Sequence, residues 1–233
     1  MKSYYAAVAA SAIVVSSSCA PAHAQQRDSR PLSGFDAIEV GGGIDLFVRK
    51  GDGFAVEIEA SEEDAAKIVT EVVDTTLQIR RKSSFDFFSW SDDGAVHVTL
   101  PALVSLVASG GSDVKTEGTF ASDSLRIVAS GGSDLTIDVA AGVLDADASG
   151  GSDLRLSGTA RSARLESSGG SDLNASRLTT DEADVDSSGG SDLTIAVREK
   201  IVADASGGSD ISYSGAPGSV NVNTSGGAEI RHR

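Results

Sequence analysis

Acidic side chains at a steady spacing are the first residues here that could do chemistry. The hexapeptide Ser109-Gly110-Gly111-Ser112-Asp113-Val114 recurs at Ser130–Leu135, Ser149–Leu154, Ser168–Leu173, Ser188–Leu193 and Ser206–Ile211. It supplies Asp113, Asp134, Asp153, Asp172, Asp192 and Asp210, and a degenerate copy, Ser225–Ile230, puts Glu229 in the same place. The first glycines lie 21, 19, 19, 20, 18 and 19 residues apart. Two chemistries suit such a ladder. Each aspartate can close a turn by accepting backbone N–H bonds, helped by Ser112, Ser133 and their equivalents. Alternatively, carboxylates and carbonyls of adjacent copies bind Ca²⁺, the one cofactor the pattern suggests. Calcium-binding Gly-Gly-x-Gly-x-Asp repeats look similar but return about every nine residues.

A second candidate is Phe85-Asp86-Phe87-Phe88-Ser89-Trp90. Serines, aspartates and Gly94 flank it, as expected of a loop tip between two strands. Phe85, Phe87, Phe88 and Trp90 would either plug the end of the fold or form a contact surface for a partner, a glycan or a second copy.

Enzyme signatures are absent. A polysaccharide-cleaving site needs clustered acids with Arg, Lys or His in a cleft. Beyond the leader the histidines are only His97 and His232, far apart in sequence. Asp184 and Asp186 form an acid pair, more simply read as the outward face of an alternating strand. Arg161, Arg164, Arg177 and Arg198 offset neighbouring acids. No phosphate loop, zinc spacing or nucleophile elbow occurs. The net charge of −15 argues against nucleic acid or an anionic membrane surface.

These residues need elements to position them. Alternating runs flank each Gly-Gly: Leu144, Ala146 and Ala148 before one copy, Leu154 and Leu156 after it. Period-two alternation indicates strands with one face inward. Two or three short strands per repeat, closed by a glycine corner, describe one coil of a β-solenoid. One coil cannot bury its own apolar face, whereas stacked coils share a core. The fold class expected is all-β: a parallel β-helix or β-solenoid of about seven coils. At about 4.8 Å per coil the rod is about 30–35 Å long. Neighbouring carboxylates in such a stack repel by about 1 kcal/mol in water.

Residues 35–100 differ. Phe35–Val40, Ile44–Val48, Phe54–Ala60, Leu77–Arg81 and Ala95–Leu100 read as strands. Ser61-Glu62-Glu63-Asp64 reads as a helix start, with the helix ending near Val69. These would form a small cap over the open end of the coils at residues 101–233.

The N-terminus reads as a secretory signal over residues 1–24, with Lys2, an apolar stretch from Tyr4 to Val15, and Ala22-His23-Ala24 as cleavage site. Residues 25–34 read as a linker. Cys19 is the single cysteine and the one candidate for lipidation, but Ser16-Ser17-Ser18 before it do not suit that signal. Cleavage after Ala24 leaves no cysteine, so the core must stabilise the fold alone.

The order Phe35-x-x-Ile38-x-Val40, Gly43-Ile44-Asp45-Leu46, Glu57-Ile58-Glu59, Leu77-Gln78-Ile79 and Leu100-Pro101-x-Leu103, leading into Ser-Gly-Gly-Ser-Asp repeats, resembles the head GIN domain family of auto-transporter adhesin heads. The resemblance spans Phe35 to the C-terminus, although Gly43-Ile44-Asp45 stands where Gly-Ile-Asn gives the family its name. It implies a right-handed parallel β-helix in an envelope or secreted protein and carries over no catalytic residue. The reading is a non-catalytic exported binding module, located in the periplasm, on the outer membrane surface or outside the cell. A polysaccharide-acting enzyme and a calcium-stabilised scaffold are the alternatives.

Overall fold

A computed structural model describes residues 26–82 and 94–233. The chain is a β-solenoid of about seven turns. Its body is built from β10 (Phe120–Ser130), β11 (Asp134–Ser149), β12 (Asp153–Ser168), β13 (Asp172–Ser188) and β14 (Asp192–Ala205). The last coils are shorter pieces: β15 (Asp210–Gly215), β16 (Ser219–Thr224) and β17 (Glu229–His232). These strands pair in parallel with the coil before them and, up to β15, with the coil after.

Alternation in the sequence becomes columns in the structure. Leu135, Leu154, Leu173, Leu193, Ile211 and Ile230 lie in register after the glycine corner. Ile127, Ala146, Leu165, Val185 and Ala203 do the same before it. Each residue of that second column is fully buried. The core is slim, as its Ala and Ser content implies, and Ser167 and Ser187 occupy inward positions.

The two sides of a coil differ in regularity. At the glycine corner, register is constant: Ser149↔Ser168↔Ser188 enters it and Asp153↔Asp172↔Asp192 leaves it. Every change in repeat length is absorbed on the opposite side. One extra residue of β13 is accommodated after Arg155 of β12. Against β14, register shifts between Ala175 and Thr179 and again between Thr180 and Glu182.

The N-terminal part departs from expectation. It contains β1 (Gln26–Arg30), β2 (Ala37–Gly41), β3 (Asp45–Lys50), β4 (Ala55–Ala60), α1 (Glu62–Ala65), β5 (Ile68–Val73), β6 (Thr76–Arg81), β7 (Ala95–Leu100), β8 (Ser105–Ser109) and β9 (Asp113–Glu117). Strands β2 and β3 belong to the solenoid rather than to a cap. They pair in parallel with β6 and β7 on one side and with β8 and β9 on the other. The first coil in sequence is therefore an inner coil in space. Ser112 Oγ accepts the Ile44 N–H at 3.2 Å, which seats Gly42-Gly43 on the same corner as the later repeats.

True cap elements are β1, β4, α1 and β5. Strand β4 runs antiparallel to β7, β1 antiparallel to β4, and β5 antiparallel to β6. Residues expected as linker thus include a strand. It has no apolar alternation, and is held by backbone pairing and by Arg27, 3.0 Å from Glu59. The helix is shorter than expected: Ser61 caps it, accepting the Asp64 N–H, and it ends at Ala65. The β-branched run Ile68-Val69-Thr70 continues as strand instead.

Candidate functional site

The glycine corner comes first, because it positions the acids. Gly131, Gly150 and Gly169 have φ of +65°, +67° and +85°. A Cβ on Gly150 would come within 3.3 Å of the Gly131 nitrogen one coil away. Only a residue without a side chain suits both the backbone turn and the stacking distance. Below the glycines lies a buried serine column: Ser112, Ser133, Ser152, Ser171, Ser191 and Ser209, all fully buried. Ser171 Oγ reaches Ser168 O at 2.8 Å within its own corner and Ala148 O at 2.8 Å in the coil before. Ser191 and Ser209 repeat this pattern toward Ser167 O and Ser187 O. Hydroxyls, more than carboxylates, satisfy the corner's buried backbone groups.

The aspartates point outward from this scaffold as one column. Asp113, Asp134, Asp153, Asp172, Asp192, Asp210 and Glu229 are in register across seven strands. Partial burial, and then the neighbouring carboxylates Asp153 and Asp113, push the Asp134 carboxyl above its usual range. Asp172 is raised by burial, then by Asp153 and Asp192. Arg155 relieves part of this charge, 2.8 Å from Asp153. At the far end Arg231 bonds Glu229 and lies 3.6 Å from Asp210. Among the described residues, no group of three or more His, Cys, Asp or Glu is placed to hold a metal ion.

A second acidic column, Asp147, Glu166, Asp186 and Asp204, lies on the face before the corner. Burial first, then nearby carboxylates, raise Asp147 and Asp186. Beside it Arg126, Asp145, Arg164 and Asp184 alternate in charge. Arg126 pairs with Asp145 at 2.6 Å and Arg164 with Glu166 at 2.7 Å. Asp184 and Asp186 therefore sit on one outward strand face, with Arg164 4.0 Å from Asp186. They do not face each other across a cleft, as an acid pair for glycosidic hydrolysis must.

A groove of about 290 Å³ opens on the outer wall near the capped end. Phe47 on β3, 39% exposed, stacks on His97 of β7 with ring centroids 5.1 Å apart and planes 14° from parallel. Cross-strand register puts Lys115 of β9 on the other side of Phe47. Arg27, Arg49 and Glu57 complete the rim. His97 Nε2 lies 3.2 Å from Glu59, and Arg49 bonds Glu117 at 2.8 Å.

A family model described as "Putative auto-transporter adhesin, head GIN domain" matches residues 34–217. The chain belongs to that family. Among solved structures, the GIN domain here is similar to a "putative adhesin" from Bacteroides fragilis NCTC 9343, with 23% identity and a TM-score of 0.84. That match covers 91% of this chain and 99% of the other. A "putative adhesin" from Parabacteroides distasonis ATCC 8503 gives 18% identity and a TM-score of 0.71, covering 91% and 98%. A "Putative lipid binding protein" from the same organism gives 16% and 0.68, covering 89% and 96%. These likenesses share the fold. Among curated proteins, none matches.

Within this GIN domain the expected site residues fall into three groups. The six aspartates are brought together in one column. His97 and His232 lie at opposite ends, His232 stacked on Tyr213 at 4.8 Å. Phe85, Phe87, Phe88, Trp90 and Cys19 lie outside the described residues. Arg198 lies 3.5 Å from Asp181, as an offset to a neighbouring acid. Phe47 was not singled out from the sequence. Its signal there is an aromatic at the outward position of Leu46-Phe47-Val48, but its pairing with His97 needs a register that the pattern does not contain.

Proposed function

We propose that this GIN domain is an exported, non-catalytic binding module that recognises a glycan of the envelope or a cell surface. The observation that carries this reading is the Phe47–His97 stack in an open groove rimmed by Arg27, Arg49, Glu57 and Lys115. An exposed ring beside a few convergent polar groups suits the apolar face and hydroxyls of a sugar. The family description as an adhesin head supports binding over catalysis. The signal-like residues 1–24 support export. Carboxylates arranged in columns, with arginines interleaved, support a rigid display surface rather than a hydrolytic centre.

A glycan array probed with the purified protein tests the reading, paired with a polysaccharide-cleavage screen. The expected result is binding without product release, weakened about tenfold or more by Phe47→Ala and by Lys115→Ala. Depolymerisation of any bound glycan, or binding that ignores both substitutions, overturns it.

A further inference from the structure

The two ends of the stack are finished differently. At one end β4, α1 and β5 lie over the coils, and Ala65 and Ile68 are buried there. Strand β1 guards that edge with Arg27, Asp28 and Arg30, charged residues of the kind that keep strand edges apart. At the other end, among the described residues, β16 pairs only with β14 and β17 only with β15, so both present an outer edge without a neighbouring strand. Val220 and Val222 continue the columns of Ile201 and Ala203, which are fully buried. Val220 is nevertheless 48% exposed and Val222 42%. The edge sequence Ser219-Val220-Asn221-Val222-Asn223-Thr224 has no charge and no proline. Natural edges of this kind pair with another strand unless charge or proline prevents it.

Charge also changes at this end. The outward acid column Asp147, Glu166, Asp186 and Asp204 finishes in Asn223, whose amide donates to Asp204 Oδ1 at 2.8 Å. Its neighbouring column finishes in Asn221 after Val202. Residues 219–233 carry one acid, Glu229, against Arg231 and Arg233, so this coil is net positive on a chain of −15.

We propose that this open end is a self-association surface, with β16 of one chain pairing antiparallel to β16 of a second copy across a twofold axis. A second copy fits because acid repels acid over most of the surface, whereas two last coils, each with one acid against two arginines and with Val220 and Val222 exposed, meet with little repulsion. Head-to-tail stacking would need an open coil at the other end, which β4 and α1 cover. Two open ends meeting across a twofold axis form a closed, self-complementary contact. Each half of the interface offers two strand edges and a few apolar side chains. The dimer is therefore weak, with a dissociation constant on the order of micromolar.

Sedimentation or light scattering over roughly 1 to 200 µM protein tests this. The expected result is conversion from monomer to dimer with no larger species. Asn221→Lys with Asn223→Lys puts gatekeeping charge on the outward positions of the edge without touching the core. It should raise the dissociation constant at least tenfold. Thr136→Lys with Thr194→Lys adds the same charge in the middle of the stack and should leave association unchanged. Hydrogen exchange on the unaltered chain needs no variant: protection of residues 219–224 should rise with protein concentration. A monomer throughout the range, growth beyond a dimer, undiminished association of the lysine pair, or protection independent of concentration each overturns the proposal.

Discussion

The two sides of each coil solve the same problem with opposite means. The glycine corner repeats one device: two glycines above a buried serine whose hydroxyl ties its own turn to the coil before. The opposite side repeats far less: a glycine of φ near +105° facing the carbonyl of the coil before occurs at Gly158 and again at Gly215, against Val197, but not in the coils between. Gly158, whose φ is +105°, faces the Val139 carbonyl so closely that a Cβ would overlap it, yet the neighbouring coil has Leu178 in register there. The shifts after Arg155 and around Ala175–Glu182 all lie on this side. The difference teaches that one corner is sufficient to hold register. Length and sequence then vary on the other side without disturbing the core columns.

Inserting one residue separates the two sides most sharply. An alanine between Gly169 and Gly170 breaks the corner and turns later inward residues outward. It should cost at least about 4 kcal/mol in denaturant unfolding, or abolish a cooperative transition. An alanine between Ser176 and Arg177, where register already slips, should cost about 1 kcal/mol or less. Equal costs would break the comparison. Next in size is Ser171→Ala, which strips the buried Ala148 carbonyl of a donor and the Ser168 N–H of its acceptor. A loss of about 2–3 kcal/mol is expected. Ser176→Ala, exposed on the other side, should stay within about 0.5 kcal/mol.

The glycines sharpen the comparison inside the corner itself. Gly150→Ala meets both a positive φ and the Gly131 nitrogen, and should cost about 1–3 kcal/mol. Gly190, the second glycine of its pair, has open space around a Cβ and lacks a positive φ. Gly190→Ala should be close to neutral by thermal melting.

The smallest effect concerns the charges displayed by that corner. Burial and neighbouring carboxylates raise Asp134, Asp147, Asp172 and Asp186 above the ordinary value of 3.8. The folded chain therefore binds their protons more tightly than the unfolded chain does. This unfavourable contribution is full above the raised values and vanishes as pH falls through them to below 3.8. From these groups, stability should rise as neutral solution is acidified toward their raised range. Asp172→Asn should raise the melting temperature at neutral pH by about 1–3 °C and flatten that response. A lower melting temperature would mean that the carboxylate makes a favourable contact after all.

Much of the architecture was legible because a coil repeats its own instructions. Ser-Gly-Gly-Ser-Asp marks the corner, and Leu135, Leu154 and Leu173 mark the inward face beyond it. The order of coils in space was not legible. Gly42-Gly43-Ile44-Asp45 announces a corner, yet nothing local says that β6 and β7 will lie on one side of it and β8 and β9 on the other. Strand β1 was missed because Gln26-Arg27-Asp28-Ser29-Arg30 has no apolar face and depends on β4 for its pairing. The aspartates were placed correctly as a column, but the corner's bonding was assigned chiefly to them. Serine has the shorter reach and sits on the inward side, where unsatisfied backbone groups cost most. The groove around Phe47 joins residues from five strands, and their meeting depends on the coil order that periodicity leaves open.

The placement of β2 and β3 has a consequence for how the chain is made. A solenoid wound strictly in sequence order can add each turn to the previous one as the chain emerges, N-terminus first. Here the earliest coil to be synthesised must wait for both of its neighbours. It can act as a seed from which winding proceeds outward in two directions, first through β6 and β7, then through β8 and β9. The long run of repeats then extends from the second of these fronts.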